Sequence, residues 1–199
     1  MFQSKNVIQL QNSTTSRWHN EPVDNPFEGF MSIVCQQHAF NFNLWHEEDI
    51  ARSKDVTDAK IAQVKRNIDG LNQNRNDWIE KLDDWITETL DQNSIVSEEN
   101  APINTETPGS VIDRLSIISI RLFHLEEQLE RTDVDENHLE SVRHKIAVCR
   151  LQQSELGQAL DELMNEITLG KKRHRTYRQF KMYNDPALNP YLYAKKPAA

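Results

Sequence analysis

The chain has 199 residues, enough for one domain with a sizeable core. Hydrophobic residues make up 37%, charged residues 27%, and there are only five glycines, a balance that fits a helical protein and disfavours a β-sandwich. Net charge is −8, which disfavours general nucleic-acid binding, and no apolar run reaches the roughly 18 residues a membrane span needs.

The charge is uneven. From Lys171 onward eight Lys and Arg side chains stand against Asp185, giving +7 and leaving −15 on the rest. The basic tail is suited to docking on that acidic body, on an anionic lipid surface or on RNA, the body being the first choice. The N-terminus lacks the apolar stretch of a signal peptide, so a cytoplasmic protein is expected. Cys35 and Cys149 lie far apart in sequence and fit reduced, structural thiols.

In chain order, residues 1–25 read as a flexible polar arm whose Asn12, Ser13, Thr14, Thr15 and Ser16 offer nothing to bury. Asp24-Asn25-Pro26 carries a helix-start signature, and a first long helix is expected from about Pro26 to Arg52. Thr57 is a plausible cap for a second, from Asp58 to about Leu90. A polar linker with Pro102 leads to Thr107-Pro108-Gly109-Ser110, which opens a third helix ending near Arg131. A fourth runs from about Glu136 to Leu169, with Gly170 as its stop. Residues 170–199 form a basic and aromatic tail with Tyr177, Phe180, Tyr183, Tyr191 and Tyr193. The expected fold is all-α: a four-helix bundle of long antiparallel helices over residues 26–169, with a polar N-terminal arm and a tail that packs on the bundle or on a partner.

Two of the helical stripes begin as core seams and then turn polar. The first runs Met31, Val34, His38, Asn41, Trp45, Glu48, Arg52, and the second Ile61, Val64, Ile68, Leu71, Arg75, Trp78, Leu82, Trp85. Burying such polar groups costs several kcal/mol unless they are paired, so they are kept either for one another or for a ligand. Folding the two helices into a hairpin about Asp55 places Glu48 near Ala62, Asn41 near Asp69 and His38 near Asn72. Asp69, Asn72 and Asn76 share a helix face beside Arg75 and Asp77.

Two chemistries suit these residues. His46, Glu48, Asp49 and Asp69 offer nitrogen and oxygen ligands to a divalent metal, with His38 as a further donor. The sequence lacks Glu-x-x-His and Cys-x-x-Cys, which argues against a ferritin-like di-iron centre and a structural zinc site. The helix start at Thr107, Gly109 and Ser110, followed by Asp113 and Arg114, presents backbone donors to a phosphate or carboxylate, with Arg52, Arg66 and Arg75 as forked donors. The bland alternatives are a capped helix and a buried salt-bridge network through Arg75. Nothing supports nucleophilic catalysis: no Gly-x-Ser-x-Gly, phosphate-cradling glycine loop or Rossmann fingerprint occurs.

Four separated stretches resemble one bacterial family, the domain of unknown function 4254. They are Asn43-Leu44-Trp45-His46-Glu47-Glu48-Asp49 through Arg52; Lys65-Arg66-x-Ile68-Asp69 with Leu71-Asn72-Gln73-x-Arg75-Asn76-Asp77; Asn104-x-Glu106-Thr107-Pro108-Gly109-Ser110 with Asp113-Arg114; and Tyr177 through Pro186. The resemblance implies a helical, cytosolic bacterial protein and a loose association with cell-envelope sugar genes, glycosyltransferases among them. It brings no established activity. The leading expectation is a binding or accessory factor in envelope-polysaccharide biosynthesis, with a phosphate- or sugar-containing ligand and a glycosyltransferase or similar protein, or a second copy of itself, as partner. The alternatives are a metal-dependent nucleotide or sugar-phosphate hydrolase and a purely structural partner protein.

Overall fold

The computed structural model describes residues 2–180, 182 and 185–193. The expectations for Lys181, Tyr183, Asn184, Lys195 and Lys196 lie outside the described residues. Six helices follow in order: α1 (Ser4–Trp18), α2 (Gly29–Arg52), α3 (Asp58–Gln92), α4 (Pro108–Leu129), α5 (Glu136–Thr168) and the single turn α6 (Pro190–Tyr193). The substantial helices pack antiparallel in two long hairpins, α2 on α3 and α4 on α5, with α1 laid mainly against α4 and also touching α2 and α5. No strand occurs among the described residues, and no described helix is long and apolar enough to cross a membrane.

The expected four-helix count is therefore corrected to five substantial helices, because the N-terminal arm folds. Its inward face is Val7, Leu10, Gln11, Thr14, Thr15 and Trp18, all buried. Helical spacing is present, but hydroxyls and an amide occupy half of it, so apolar periodicity is too weak to show. The hydroxyls are affordable inside because Thr14 donates to Leu10 O at 2.7 Å and Thr15 to Gln11 O at 2.7 Å. Val7, Leu10 and Trp18 join the main core with Val34, Leu82, Ile86, Ile112, Leu115, Ile120 and Leu160. Each such side chain, fully buried, contributes about 1.5–3 kcal/mol.

The other boundaries follow their local chemistry. Thr57 and Thr107 cap α3 and α4 as expected, accepting from Lys60 N and Ser110 N, and Asp135 does the same for α5 through His138 N. Helix α2 starts at Gly29 rather than Pro26, since Asp24 is engaged by Arg17 and Trp18 and Asn25 donates to Ser32 O. Gly170, at φ +73°, ends α5 where a side chain would meet Val96 O at 2.7 Å. The segment after it doubles back along the 93–107 linker, pairing Arg173 N with Pro102 O. It then docks on acidic α3, where Thr176 donates to Asp84 and Arg178 reaches both Glu80 and Asp84.

Candidate functional site

The polar half of the α2 stripe does turn inward, as far as Asn41. Gln37, His38 and Asn41 are all buried, and they meet partners from α4 and α1. Asp113 of α4, also buried, is the hub. It accepts Gln37 Nε2 at 2.6 Å, Asn41 Nδ2 at 2.9 Å and Arg75 Nε at 2.7 Å on one oxygen, and Arg75 Nη2 on the other. The Arg75 fork is thus bidentate, and this pairing raises the guanidinium pKa against the opposing effect of burial. The Arg75 side chain is 24% exposed and that of Asp113 only 6%, so arginine spans from the hub to the surface.

His38 sits deeper. Its Nε2 lies 2.9 Å from Thr15 Oγ1 and its Nδ1 2.7 Å from Ser116 Oγ. Thr15 donates its single proton to Gln11 O, so His38 must donate through Nε2 and accept at Nδ1. Ser116 then donates to His38 and accepts from Asn41 Nδ2 at 2.9 Å. A directed chain of donors runs from α2 through α4 and α2 to α1, with every proton placed. Burial drives the His38 pKa down to about 3, with the Gln11 carbonyl opposing it. The ring is a neutral structural bridge, fully occupied by its two hydroxyl partners.

Beyond Asn41 the stripe leaves the core. No α3 residue between Ile68 and Leu82 is fully buried, and a cleft of about 460 Å3 opens there between α2, α3 and α4. Its walls are Asn41, Leu44, Trp45, Glu48, Asp49 and Arg52 of α2, Arg75 of α3, and Ile117 and Ile120 of α4. Arg52 pairs with Glu48 at 3.1 Å. The indole of Trp45 is fixed by stacking on His124, centroids 5.1 Å apart and planes 9° from parallel. On the other side of α2, Asn43, His46, Glu47 and Ile50 face Arg66, Asn67, Gly70, Leu71 and Asn74 across a second, more open groove of about 540 Å3. There Asn67 Nδ2 donates to Glu47 at 3.0 Å, which sets the hairpin register about one turn further along α3 than the equal-distance pairing expected.

The remaining sequence-selected residues are dispersed. His46, Glu48, Asp49 and Asp69 do not converge: Asp69 is exposed and held by Lys65 at 2.6 Å, and Glu48 faces Arg52. No metal-binding group of acids and histidines among the described residues includes Glu48, Asp49 or Asp69. Asp77 accepts from Gln73 at 2.7 Å on the exposed side of α3, while Asn72 and Asn76 are half-buried. Arg114 pairs with Glu106 at 2.6 Å, away from Arg75.

At the start of α4 the chain supplies its own anion. Gly109 N donates to Asp83 Oδ1 at 2.8 Å, and Ser110 N to Thr107 Oγ1 at 3.1 Å. Asp83 is 2% exposed; burial raises its pKa to about 6, against the lowering effect of Thr107, Gly109 and His174. A side chain at Gly109 would meet Ile79 O at 2.7 Å and the Asp83 carboxyl at 2.9 Å, so α3 covers this helix end closely. The cysteines are buried and free, and burial followed by the Asp24 charge pushes the Cys35 thiol up to about 12.

Gln37, Ser116, Thr15 and Asp83 were not singled out from the sequence. Only their helical faces could have flagged them: Gln37 adjoins His38, Ser116 lies one turn after Asp113, and Asp83 lies beside Leu82. Residues 31–176 match the family profile described as protein of unknown function (DUF4254). The chain belongs to that family. No curated protein and no solved structure matches it. The matched segment of this DUF4254 member holds α2 from Met31 on, α3 to α5 and the whole Arg75–Asp113 hub, and it ends at Thr176, where the tail meets Asp84.

Proposed function

We propose that this protein binds a hydroxyl-rich small ligand, a sugar or glycosyl group, in the cleft between α2, α3 and α4, and serves as a cytoplasmic binding or accessory factor in bacterial envelope-polysaccharide biosynthesis. The observation that carries the reading is the cleft's make-up: one indole wall, an apolar floor of Ile117 and Ile120, and a planar polar rim of Asn41, Glu48, Asp49, Arg52 and Arg75. Such a mixture suits a ring with one apolar face and many hydroxyls. Two arginines stand against the three carboxylates of Glu48, Asp49 and Asp113 around the cleft, a net of −1, so the rim favours hydroxyls over a free polyanion. Arg75 is preorganised, since Asp113 holds its fork in place before any ligand arrives. The envelope role rests only on what the family resemblance implies, a loose association with cell-envelope sugar genes.

The test is a thermal-shift and calorimetric panel of monosaccharides, sugar phosphates and nucleotide sugars. A ligand that prefers the folded chain raises the melting midpoint. Millimolar saccharide should do so in the wild type and not in Trp45→Ala or Glu48→Gln, both of which line the cleft outside the Asp113 hub. Silence across the panel, or equal shifts in the variants, defeats the reading.

A further inference from the structure

Three histidines meet where the end of α1 lies against α2 and α4. His19 is the residue that closes α1, His46 lies in the second half of α2, and His124 lies near the end of α4. One ligating nitrogen from each lies within 4.8 Å of the other two.

Hydrogen bonds identify which nitrogen that is. His19 Nδ1 is 2.7 Å from Thr15 O, His46 Nδ1 is 2.8 Å from Phe42 O, and His124 Nδ1 is 2.7 Å from Glu127 Oε2. Carbonyl and carboxylate oxygens only accept, so each Nδ1 carries a proton and each neutral ring offers its lone pair at Nε2. The Nε2 atoms of His19 and His124 are buried without a hydrogen-bond partner. Lone pairs brought together in this way repel, and no donor among the described residues reaches the two buried ones.

The rings are also held in place. His19 stacks on Phe123 at 3.9 Å and 20°, His124 on Trp45 at 5.1 Å and 9°, and His46 packs on Phe42 at 4.4 Å. Oriented rings whose second nitrogen donates to a carbonyl or carboxylate are what metal-ligating histidines require. Burial also lowers the His19 pKa, with the neighbouring His124 and His46 acting in the same direction.

We propose that His19, His46 and His124 bind one divalent transition-metal ion, zinc above all, through their Nε2 atoms. Neutral imidazoles favour zinc, copper or nickel over magnesium and calcium, which take oxygen ligands. At a zinc–nitrogen distance of about 2.1 Å, tetrahedral ligands stand about 3.4 Å apart, so the loaded site draws nitrogens now within 4.8 Å closer by at most about 1.4 Å. Three protein ligands leave the remaining position to solvent. The ion ties α1 to the two hairpins, and the site stands whether or not the neighbouring cleft takes a sugar.

The untagged full chain, stripped with chelator, is titrated with Zn2+ and with Co2+. One equivalent should bind at micromolar affinity or tighter, give visible Co2+ d–d absorption and raise the melting midpoint. His46→Gln and His124→Gln should each abolish stoichiometric binding with helical content unchanged, while His144→Gln, on exposed α5, leaves it intact. Glu127→Gln keeps all three ligands but loses the carboxylate behind His124, and should weaken binding about 10- to 100-fold. Nitrogen NMR of the wild type provides a readout free of folding effects: the three Nε2 resonances move on adding Zn2+ and the Nδ1 resonances keep their proton couplings. Absence of a one-to-one complex, or binding indifferent to the histidine variants, overturns the site and leaves an aromatic cluster in its place.

Discussion

Acid unfolding tests the buried imidazole directly. His38 is fully buried, and its pKa falls from 6.5 to about 3 on folding. As pH drops below about 6.5 the unfolded chain takes up a proton on this ring that the folded chain refuses until about pH 3. The unfolded state binds more protons in that window, so this group destabilises the fold as pH falls. At about pH 4 the difference amounts to some 2.5 pH units of unfolded-state protonation, or about 3 kcal/mol at 1.36 kcal/mol per unit. Asp83 works against it. Its folded pKa of about 6, against 3.8 in the unfolded chain, means that the folded state binds more protons, and acidification from about pH 7 to about pH 4 stabilises by about 2 kcal/mol. The two contributions nearly cancel, so the pH profile of the wild type alone decides nothing. The difference between wild type and His38→Gln isolates the imidazole. Urea unfolding across this range should show that difference shrinking by about 3 kcal/mol toward acid. A difference that stays constant with pH would mean that His38 is solvated in the folded protein, and the donor chain from Asn41 to Thr15 would have to be abandoned.

Three further outcomes follow from the same groups. Asp83→Asn keeps an acceptor for Gly109 N–H but cannot ionise, so its stability relative to wild type should rise by about 2–3 kcal/mol from about pH 4 to about pH 8 in the same assay. Arg75→Met strands the buried Asp113 charge and should cost about 3 kcal/mol or more, while the double variant Arg75→Met/Asp113→Asn, which removes the charge but keeps an acceptor for Gln37 and Asn41, recovers a large part, as read by equilibrium unfolding. Gly109→Ala drives a methyl group against Ile79 O and Asp83 and should lower stability by about 1–3 kcal/mol, with a melting shift of several degrees by calorimetry.

Helices α3, α4 and α5 were legible almost to the residue: Thr57 and Thr107 mark the starts of α3 and α4, and α5 shows a long helical stripe that stops at Gly170, while its cap, Asp135, emerges only in the structure. Helix α1 was not. Its buried face relies on Gln11, Thr14 and Thr15, whose donors are consumed by its own carbonyls or, for Gln11, by Ile112 O at 3.1 Å. Hydrogen bonding of that kind makes a polar residue as buriable as an apolar one, and a pattern of apolar spacing cannot register it. In the described part of the tail, Arg178 lies between Glu80 and Asp84 of α3.

The polar stripes show how far one helix pair can be read alone. The sequence placed His38, Asn41 and Arg75 on core-facing positions, and all three do join one hydrogen-bonded network. It also placed Glu48 and Asp69 there, but Glu48 lines the open cleft and Asp69 is exposed, because the stripe drifts from the seam beyond Asn41 while α3 has no fully buried residue between Ile68 and Leu82. What separates the two outcomes is supplied from elsewhere in the chain. Asp113 and Ser116 on α4 and Thr15 on α1 give the inner residues their partners, whereas no such group lies opposite the outer ones. The cleft begins where those partners stop. The same logic governs the three histidines: His19, His46 and His124 belong to no shared motif and lie on three helices, and only the packing of α1 against α4 brings their nitrogens together. A residue's chemistry is set by what the fold puts opposite it. In this protein those opposites come from α4, which was read from its apolar stripe, and from α1, which was not.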